Sequence, residues 1–364
     1  MLSTSASKHL WLALSPHGYG HAVMTAPVIH ALRRRRPDLR LTIQTGVPRS
    51  FLEERYGPDF DYVPEVPDFG LKMRSATCVD LDASAEAYRR MHADFVAVVE
   101  REAARLRQAR PDMVLANVPY VTLAAAARAG IPAVALSSLE WADIYRHYLG
   151  DRAGAEAVWA DMRDAYNSAL AFLRVTPAME MPSLGNVVDI GTVAQRGLNR
   201  RSELAPGKVG LVAFGGIDHD LTMARWPRVA GWTWLSAQGC PADRDDVIDW
   251  RGTGLPFSDL TASVDVIVTK PGYGTFTEAG LSGVPVLYLA RPDWPETPAM
   301  DRWLMTHTKA LALTVDDLLN DLETQLRKLF SLPGQPLAEA KGNEEAADFI
   351  DRLLLAQGGT CESS

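Results

Sequence analysis

Three times in this 364-residue chain a short apolar run ends in glycine and gives way to a stretch with helical spacing. The first join is "SPHGYGH" from Ser15 to His21, the second "FGGID" from Phe214 to Asp218, the third "KPGYGTFTE" from Lys270 to Glu278. A strand that hands over to a helix in this way belongs to a parallel sheet, whose strands can only be joined by crossovers. Glycine permits the sharp turn and lets a ligand approach the backbone closely. The helix that follows offers free N–H groups and the positive end of its dipole to an anion. Each join taken alone also fits a plain tight connection. Gly18 and Gly20 make G-x-G without a third glycine, and no acid follows at the ribose spacing, which argues against NAD.

The rest of the chain keeps the same alternation. In the first half, "LWLALS", "RLTIQTG", "FDYVPEV", "PDMVLANV" and "IPAVALSS" read as strands, with helices over "VMTAPVIHALRRR", Ala85 to Arg107 and "VTLAAAARAG". In the second half "VGLVAFGG", "DVIDW", "VDVIVTK" and "VPVLYLA" read as strands, "TFTEAGLSG" as a helix, and "VDDLLNDLETQLRKLFS" and "NEEAADFIDRLLLA" as closing helices. Strands alternating with helices predict parallel sheets covered on both faces. The expectation is an α/β chain of two Rossmann-like domains: residues 1–190, residues 208–345, and a C-terminal helix and tail over 346–364. The cleft between the domains is the expected active site, because open α/β sheets bind ligands beyond the carboxyl ends of their strands.

Composition removes several classes of function. With 37 Lys and Arg against 45 Asp and Glu, the net charge of -8 argues against nucleic-acid binding, which needs a basic surface. The three cysteines, Cys78, Cys240 and Cys361, form no close-spaced pair, which points to a reducing, cytoplasmic setting and no zinc site. No run reaches the roughly 18 apolar residues of a membrane span. The basic run Arg33 to Arg36 suits either an anionic lipid surface or the C-terminal dipole of a helix.

The third join carries a family resemblance. Lys270, Gly272, Tyr273, Gly274, Thr275 and Glu278, then a strand, then Arg291, Asp293 and Glu296, resemble the donor-binding segment of GT-B glycosyltransferases. Within these the segment is most similar to the glycosyltransferase-like domain that precedes the kinase in plant L-arabinokinase, and to its bacterial stand-alone relatives. "HGYGHA", "PDMVLANV" and "SSLEWADIYRHYL" extend the resemblance into the first half. The layout is more distantly similar to the lipid-II-forming N-acetylglucosaminyltransferases. Two departures stand on the acceptor side, Asn117 where the resembled domain has an acid and Ala142 beside Trp141.

The resemblance implies a nucleotide-sugar site, UDP-linked, with no bound metal and no cofactor beyond the co-substrate. Glu278 would accept hydrogen bonds from both ribose hydroxyls, since a carboxylate offers two acceptor oxygens to a vicinal diol; it would equally suit a helix N-terminus. Gly215 and Gly216 would bring N–H groups to the diphosphate, joined by the Thr275 hydroxyl and the Lys270 ammonium. Lys270 is also the kind of residue that snorkels at a strand end. Retaining GT-B enzymes often carry two glutamates eight positions apart at this place. Here Lys270 stands eight before Glu278, which favours inversion.

Inversion needs a base on the acceptor. His21 is the first candidate and His17 the second, either of which would also serve to bond the loop or a phosphate; Glu140 and Asp143 are candidates to orient the imidazole. Arg291, Asp293 and Glu296 either contact the donor sugar or pair to fix their own loop. Trp250 and Phe257 fit a nucleobase platform or the core. Tyr19, Asn117, Glu140, Trp141 and the loop from Pro67 to Asp82 fall on the side of a small-molecule or glycan acceptor. A nucleotide-sugar hydrolase or epimerase, or a non-catalytic nucleotide-sugar-binding protein, stays open on the same residues.

Overall fold

The computed structural model describes residues 7–66, 68–75, 78–214, 221–237 and 240–356. They fall into two compact units. The first comprises the described residues up to Lys72, Val79–Val193 and those from Lys341 onward; the second comprises Met73–Cys78 and Ala194–Ala340.

The first unit runs β1 (His9–Leu14), α1 (Gly20–Arg35), β2 (Arg40–Gln44), α2 (Arg49–Tyr56), β3 (Asp61–Val63), α3 (Leu81–His92), α4 (Phe95–Ala109), β4 (Met113–Asn117), α5 (Tyr120–Ala129), β5 (Ala133–Ser137), α6 (Trp141–Leu149), α7 (Ala155–Asn167), β6 (Ala171–Arg174) and β7 (Val187–Asp189). Its sheet has the order β3-β2-β1-β4-β5-β6-β7. Every pairing is parallel, with Leu10 beside Leu41 on one side and Met113 on the other. The strands β1, β4 and β5 are buried along their whole length, as strands covered by helices on both faces must be.

The second unit runs β8 (Lys208–Ala213), β9 (Trp232–Ser236), β10 (Val247–Asp249), α8 (Phe257–Ser263), β11 (Val266–Thr269), α9 (Tyr273–Ser282), β12 (Val286–Leu289), α10 (Thr297–His307), β13 (Ala310–Leu313), α11 (Val315–Asn320) and α12 (Leu322–Ser331). Its parallel sheet has the order β10-β9-β8-β11-β12-β13. A core of Trp226, Trp234, Val212, Val268 and Leu287 lies against it. In each sheet the chain reverses direction of travel at one place, between β1 and β4 and between β8 and β11. Ligands bind at such switch points in open α/β sheets.

Three local readings change. The long helix over Ala85 to Arg107 is two helices, because Asp94 accepts from the Ala97 N–H and caps a new start for α4. His92 closes α3 with its ring bonded to Asp161 and Tyr120 and stacked on Phe95. The helix over "VDDLLNDLETQLRKLFS" is also two, with Thr314 and Asp317 forming a capping box at the start of α11. The C-terminal helix α13 (Gly342–Ala356) is an integral part of the first unit rather than an appendage.

That helix accounts for the basic run. Arg34 and Arg35 reach Glu344 at 2.5 and 2.7 Å, Arg35 also pairs with Asp348, and Arg36 pairs with Asp351. Arg33 instead donates to the Tyr56 and Asp59 carbonyls. All four guanidinium groups thus have protein partners, and no helix among the described residues is long and apolar enough to cross a membrane. Arg36 and Asp351 are the most sheltered of these pairs, with side chains 13% and 22% exposed. Replacing Arg36 by Ala is expected to destabilise the chain by about 1 kcal/mol and to speed amide exchange in α13 before the sheet; chemical denaturation and hydrogen exchange read both.

Candidate functional site

In the first unit the β1 turn leads directly into α1. Gly18 takes φ +81°, a conformation that favours glycine, and Tyr19 caps the helix. His21 sits in the first turn of α1, 6% exposed. Across the switch point, the last residue of β4 is Asn117, wholly buried. His21 Nδ1 and Asn117 Oδ1 lie 2.6 Å apart, and Asn117 Nδ2 donates to Met24 Sδ at 3.1 Å. Burial pushes the His21 pKa down to about 4, the Asn117 hydrogen bond opposing.

His17 approaches the Trp141 ring edge-on at 5.2 Å between centroids, and His21 lies at 6.1 Å from the same ring. Gly70 is required against that indole, since a Cβ there would come within 2.5 Å of it. Tyr19 is 38% exposed and stacks on Phe51 at 4.3 Å.

The acids expected to orient the histidine do other work. Glu140 accepts from the Ala142 and Asp143 N–H groups at 2.5 and 2.7 Å, so it caps α6. Asp143 accepts from Trp159 Nε1 at 3.4 Å. Asn117 therefore holds His21 in place of either. Burial raises the Glu140 pKa. The sequence reading passed over Met24, which looks like any core residue, and Asp68. Asp68 is 3% exposed and accepts from the Val121 N–H at the start of α5, where Pro119 supplies no side-chain cap. Burial raises its pKa to about 8, with the Val121 hydrogen bond opposing.

In the second unit, Gly215 and Gly216 lie outside the described residues. The join at β11 is described in full. Gly272 is extended, φ -168°, and caps α9 with no side-chain bond to the helix. A Cβ there would meet only the Lys270 carbonyl, at 3.9 Å. Its value is therefore open space at the helix start rather than an unusual backbone angle. Gly274 and Thr275 lie in the first turn of α9. Glu278 is 1% exposed one turn further on, with the Thr261 hydroxyl of α8 at 3.4 Å.

Lys270 follows the last residue of β11, and burial followed by the nearby Arg291 charge brings its pKa down to about 8, Glu296 acting the other way. Arg291 leaves the neighbouring strand β12. Its guanidinium lies over the Trp294 ring at 4.0 Å, and Trp294 Nε1 donates to Glu296 Oε2 at 3.4 Å. Arg291 and Glu296 are 6% and 5% exposed, whereas Asp293 points outward. Trp294, unremarked in the sequence reading, thus organises this loop. Trp250 and Phe257 meet edge-on at 5.6 Å and stay partly exposed, outside the core. Among the described residues, no three His, Cys, Asp or Glu side chains gather as a metal site.

Two parallel sheets with these strand orders and their crossover helices are the GT-B architecture, and the solved structures agree. The chain superposes on the glycotransferase of kitacinnamycin with TM-score 0.61 at 19% identity, over 98% of this chain and 97% of that one. Arabidopsis thaliana UGT89C1 complexed with UDP matches with TM-score 0.58 at 14% identity, over 97% and 100%. A UDP-N-acetylglucosamine 2-epimerase matches with TM-score 0.53 at 15% identity, over 98% and 99%. The chain has the GT-B fold. In sequence it is 26% identical to L-arabinokinase of Arabidopsis thaliana over 372 aligned residues, 97% of this chain and 35% of that protein. It therefore spans about a third of that relative's length. No protein-family model matches the chain.

Two titratable groups with shifted pKa values make these places legible in stability. Below pH 8 the folded state holds Lys270 charged against its surroundings; between about 8 and the unfolded value of 10.5 the unfolded chain binds the extra proton, so this group's contribution improves as pH rises through that window. Lys270→Met is expected to raise the melting temperature of the ligand-free chain at pH 7, read by thermal shift. Asp68 has the opposite slope, because the folded state keeps a proton that the unfolded chain releases between pH 3.8 and about 8. Stability from this group falls across that range, and Asp68→Asn is expected to flatten the fall in a pH series of denaturation midpoints.

Proposed function

We propose that the chain transfers a sugar from a UDP-linked donor to an acceptor hydroxyl with inversion. The observation that carries this is the second unit's switch point. The side-chain-free start of α9, the enclosed Lys270 ammonium and buried Glu278 lie on one strand-to-helix segment, beside a loop in which Arg291, Trp294 and Glu296 are interlocked.

Each part has a task in that reading. The helix start and Lys270 meet the diphosphate, stabilising the charge that develops on the leaving UDP. Glu278 accepts from the ribose hydroxyls, and the partly exposed Trp250 offers a face to the base. Arg291 and Glu296 contact the donor sugar. In the first unit, neutral His21 removes the acceptor proton. The UDP-bound UGT89C1 match supports the nucleotide, and the Lys270–Glu278 spacing supports inversion over the two-glutamate retaining pattern.

The epimerase match favours a second reading on the same fold, rearrangement of the donor without an acceptor. Titration calorimetry with UDP tests the shared part. Binding of UDP that Glu278→Ala weakens by about 1–3 kcal/mol is the expected result, and no heat with any nucleoside diphosphate would sink both readings. Incubation with UDP-sugars alone separates them: recovered, unchanged donor is expected for a transferase, and isomerised donor identifies the epimerase.

A further inference from the structure

The acceptor's chemistry follows from the side chain that backs His21. The thioether of Met24 can only accept a hydrogen bond, so the Asn117 group 3.1 Å from it is the amide NH2. The amide oxygen then faces His21 Nδ1 at 2.6 Å, and that oxygen can only accept. Nδ1 must therefore carry the ring proton. The lone pair is on Nε2, which has no hydrogen-bond partner among the described residues. The geometry points to a base of deliberately low strength: Asn117 locks His21 as the Nδ1–H tautomer with a neutral amide behind it, and the acceptor it serves carries an acidic hydroxyl, a phenol rather than an aliphatic alcohol.

When the acceptor proton moves to Nε2, a positive charge appears on a ring that is 6% exposed, with Asn117 and Trp141 around it. A carboxylate behind the imidazole would stabilise that imidazolium; the Asn117 amide has no net charge to offer. Burial keeps the conjugate acid strong for the same reason. Proton transfer works best between groups of matched acidity. A phenol, near pKa ~10, lies nearer to such a base than an aliphatic hydroxyl, which is close to water's value of about 15.7. The balanced step is then simple. The phenol proton goes to Nε2, the phenol oxygen forms the new bond to the anomeric carbon, and the bond from that carbon to the diphosphate oxygen breaks with its electron pair leaving on UDP. A second, independent feature agrees. Two residues before His21, Tyr19 stacks on Phe51 and remains 38% exposed, a flat aromatic face of the kind on which an aryl ring packs.

This inference rests on the transfer reading above, and its test keeps the two apart. Long-range proton–nitrogen correlation spectra of the histidine-labelled full chain report the His21 tautomer directly. A neutral Nδ1–H ring from pH 8 to pH 5 is expected; an Nε2–H ring, or an imidazolium at pH 7, overturns the lock. Asn117→Asp is expected to raise the His21 pKa by about 1–3 units, and no rise overturns the role given to the amide. With UDP-glucose as donor, the wild type is expected to favour 4-nitrophenol over cyclohexanol at least ~100-fold, with the preference narrowing in Asn117→Asp. Equal use of both, or no transfer to a panel of phenols by a protein that binds UDP, overturns the acceptor class and leaves the nucleotide site standing. Absence of UDP binding overturns the transfer reading itself. Because the wild-type spectra and the wild-type acceptor ratio need no substitution, a variant that fails to fold does not shelter the inference.

Discussion

The fold depends on what happens where a buried parallel strand stops. Inside the sheet each strand's N–H and C=O groups are satisfied on both sides; at the carboxyl end the ladder ends and the chain must turn back over the sheet. At most strand ends the next helix simply packs down. Between β1 and β4, and between β8 and β11, the crossovers depart to opposite sides of the sheet. His21 and Asn117 occupy one of these places and Lys270 the other. The candidate chemistry stands where it does because parallel topology places a switch point there.

The two units treat charge in opposite ways there. In the first, burial drives titratable groups toward their neutral forms: His21 down, Asp68 and Glu140 up. Each is also tied to backbone or amide partners. In the second, Lys270 is lowered only to about 8 and remains mostly protonated at neutral pH, beside Arg291. Holding a cation in such a place is unfavourable for the ligand-free chain, and an anion is the simplest thing that would relieve it. The first unit's switch point is thus lined by groups held neutral, and the second unit's by a cation.

Much of this was legible in the residues. The glycine joins marked the strand ends, and the alternation of short apolar runs with helical spacing marked the two sheets, because buried parallel strands have a distinctive composition. What escaped was information held by pairs of residues distant in sequence. Nothing near Asn117 announces that it would meet His21, 96 positions away, or that Met24 would fix which way its amide points. Glu140 and Asp143 looked like better partners because acids draw attention, yet Glu140 was already committed to the N–H groups two and three residues ahead. The helix break at Asp94 was local and could have been read: an aspartate three residues before an alanine N–H is a capping signal.

The arginine run shows the same limit from the other direction. Four consecutive arginines invite a search for an external anion, and for Arg34, Arg35 and Arg36 the answer lies more than 300 residues along the chain, in Glu344, Asp348 and Asp351. Exposed ion pairs contribute little individually. Here their spacing matters more than their strength: Glu344, Asp348 and Asp351 recur at intervals of four and three, which places them on one face of α13, and the last turn of α1 supplies the matching cations. The pairing thus sets the register of α13 against α1, while the burial of Ala346, Ala347, Ile350 and Leu354 supplies the apolar adhesion. The helix that begins at His21's turn is consequently held at both ends, by Asn117 near its start and by α13 at its finish, and the position of the imidazole is determined by the last segment of the chain as well as the first.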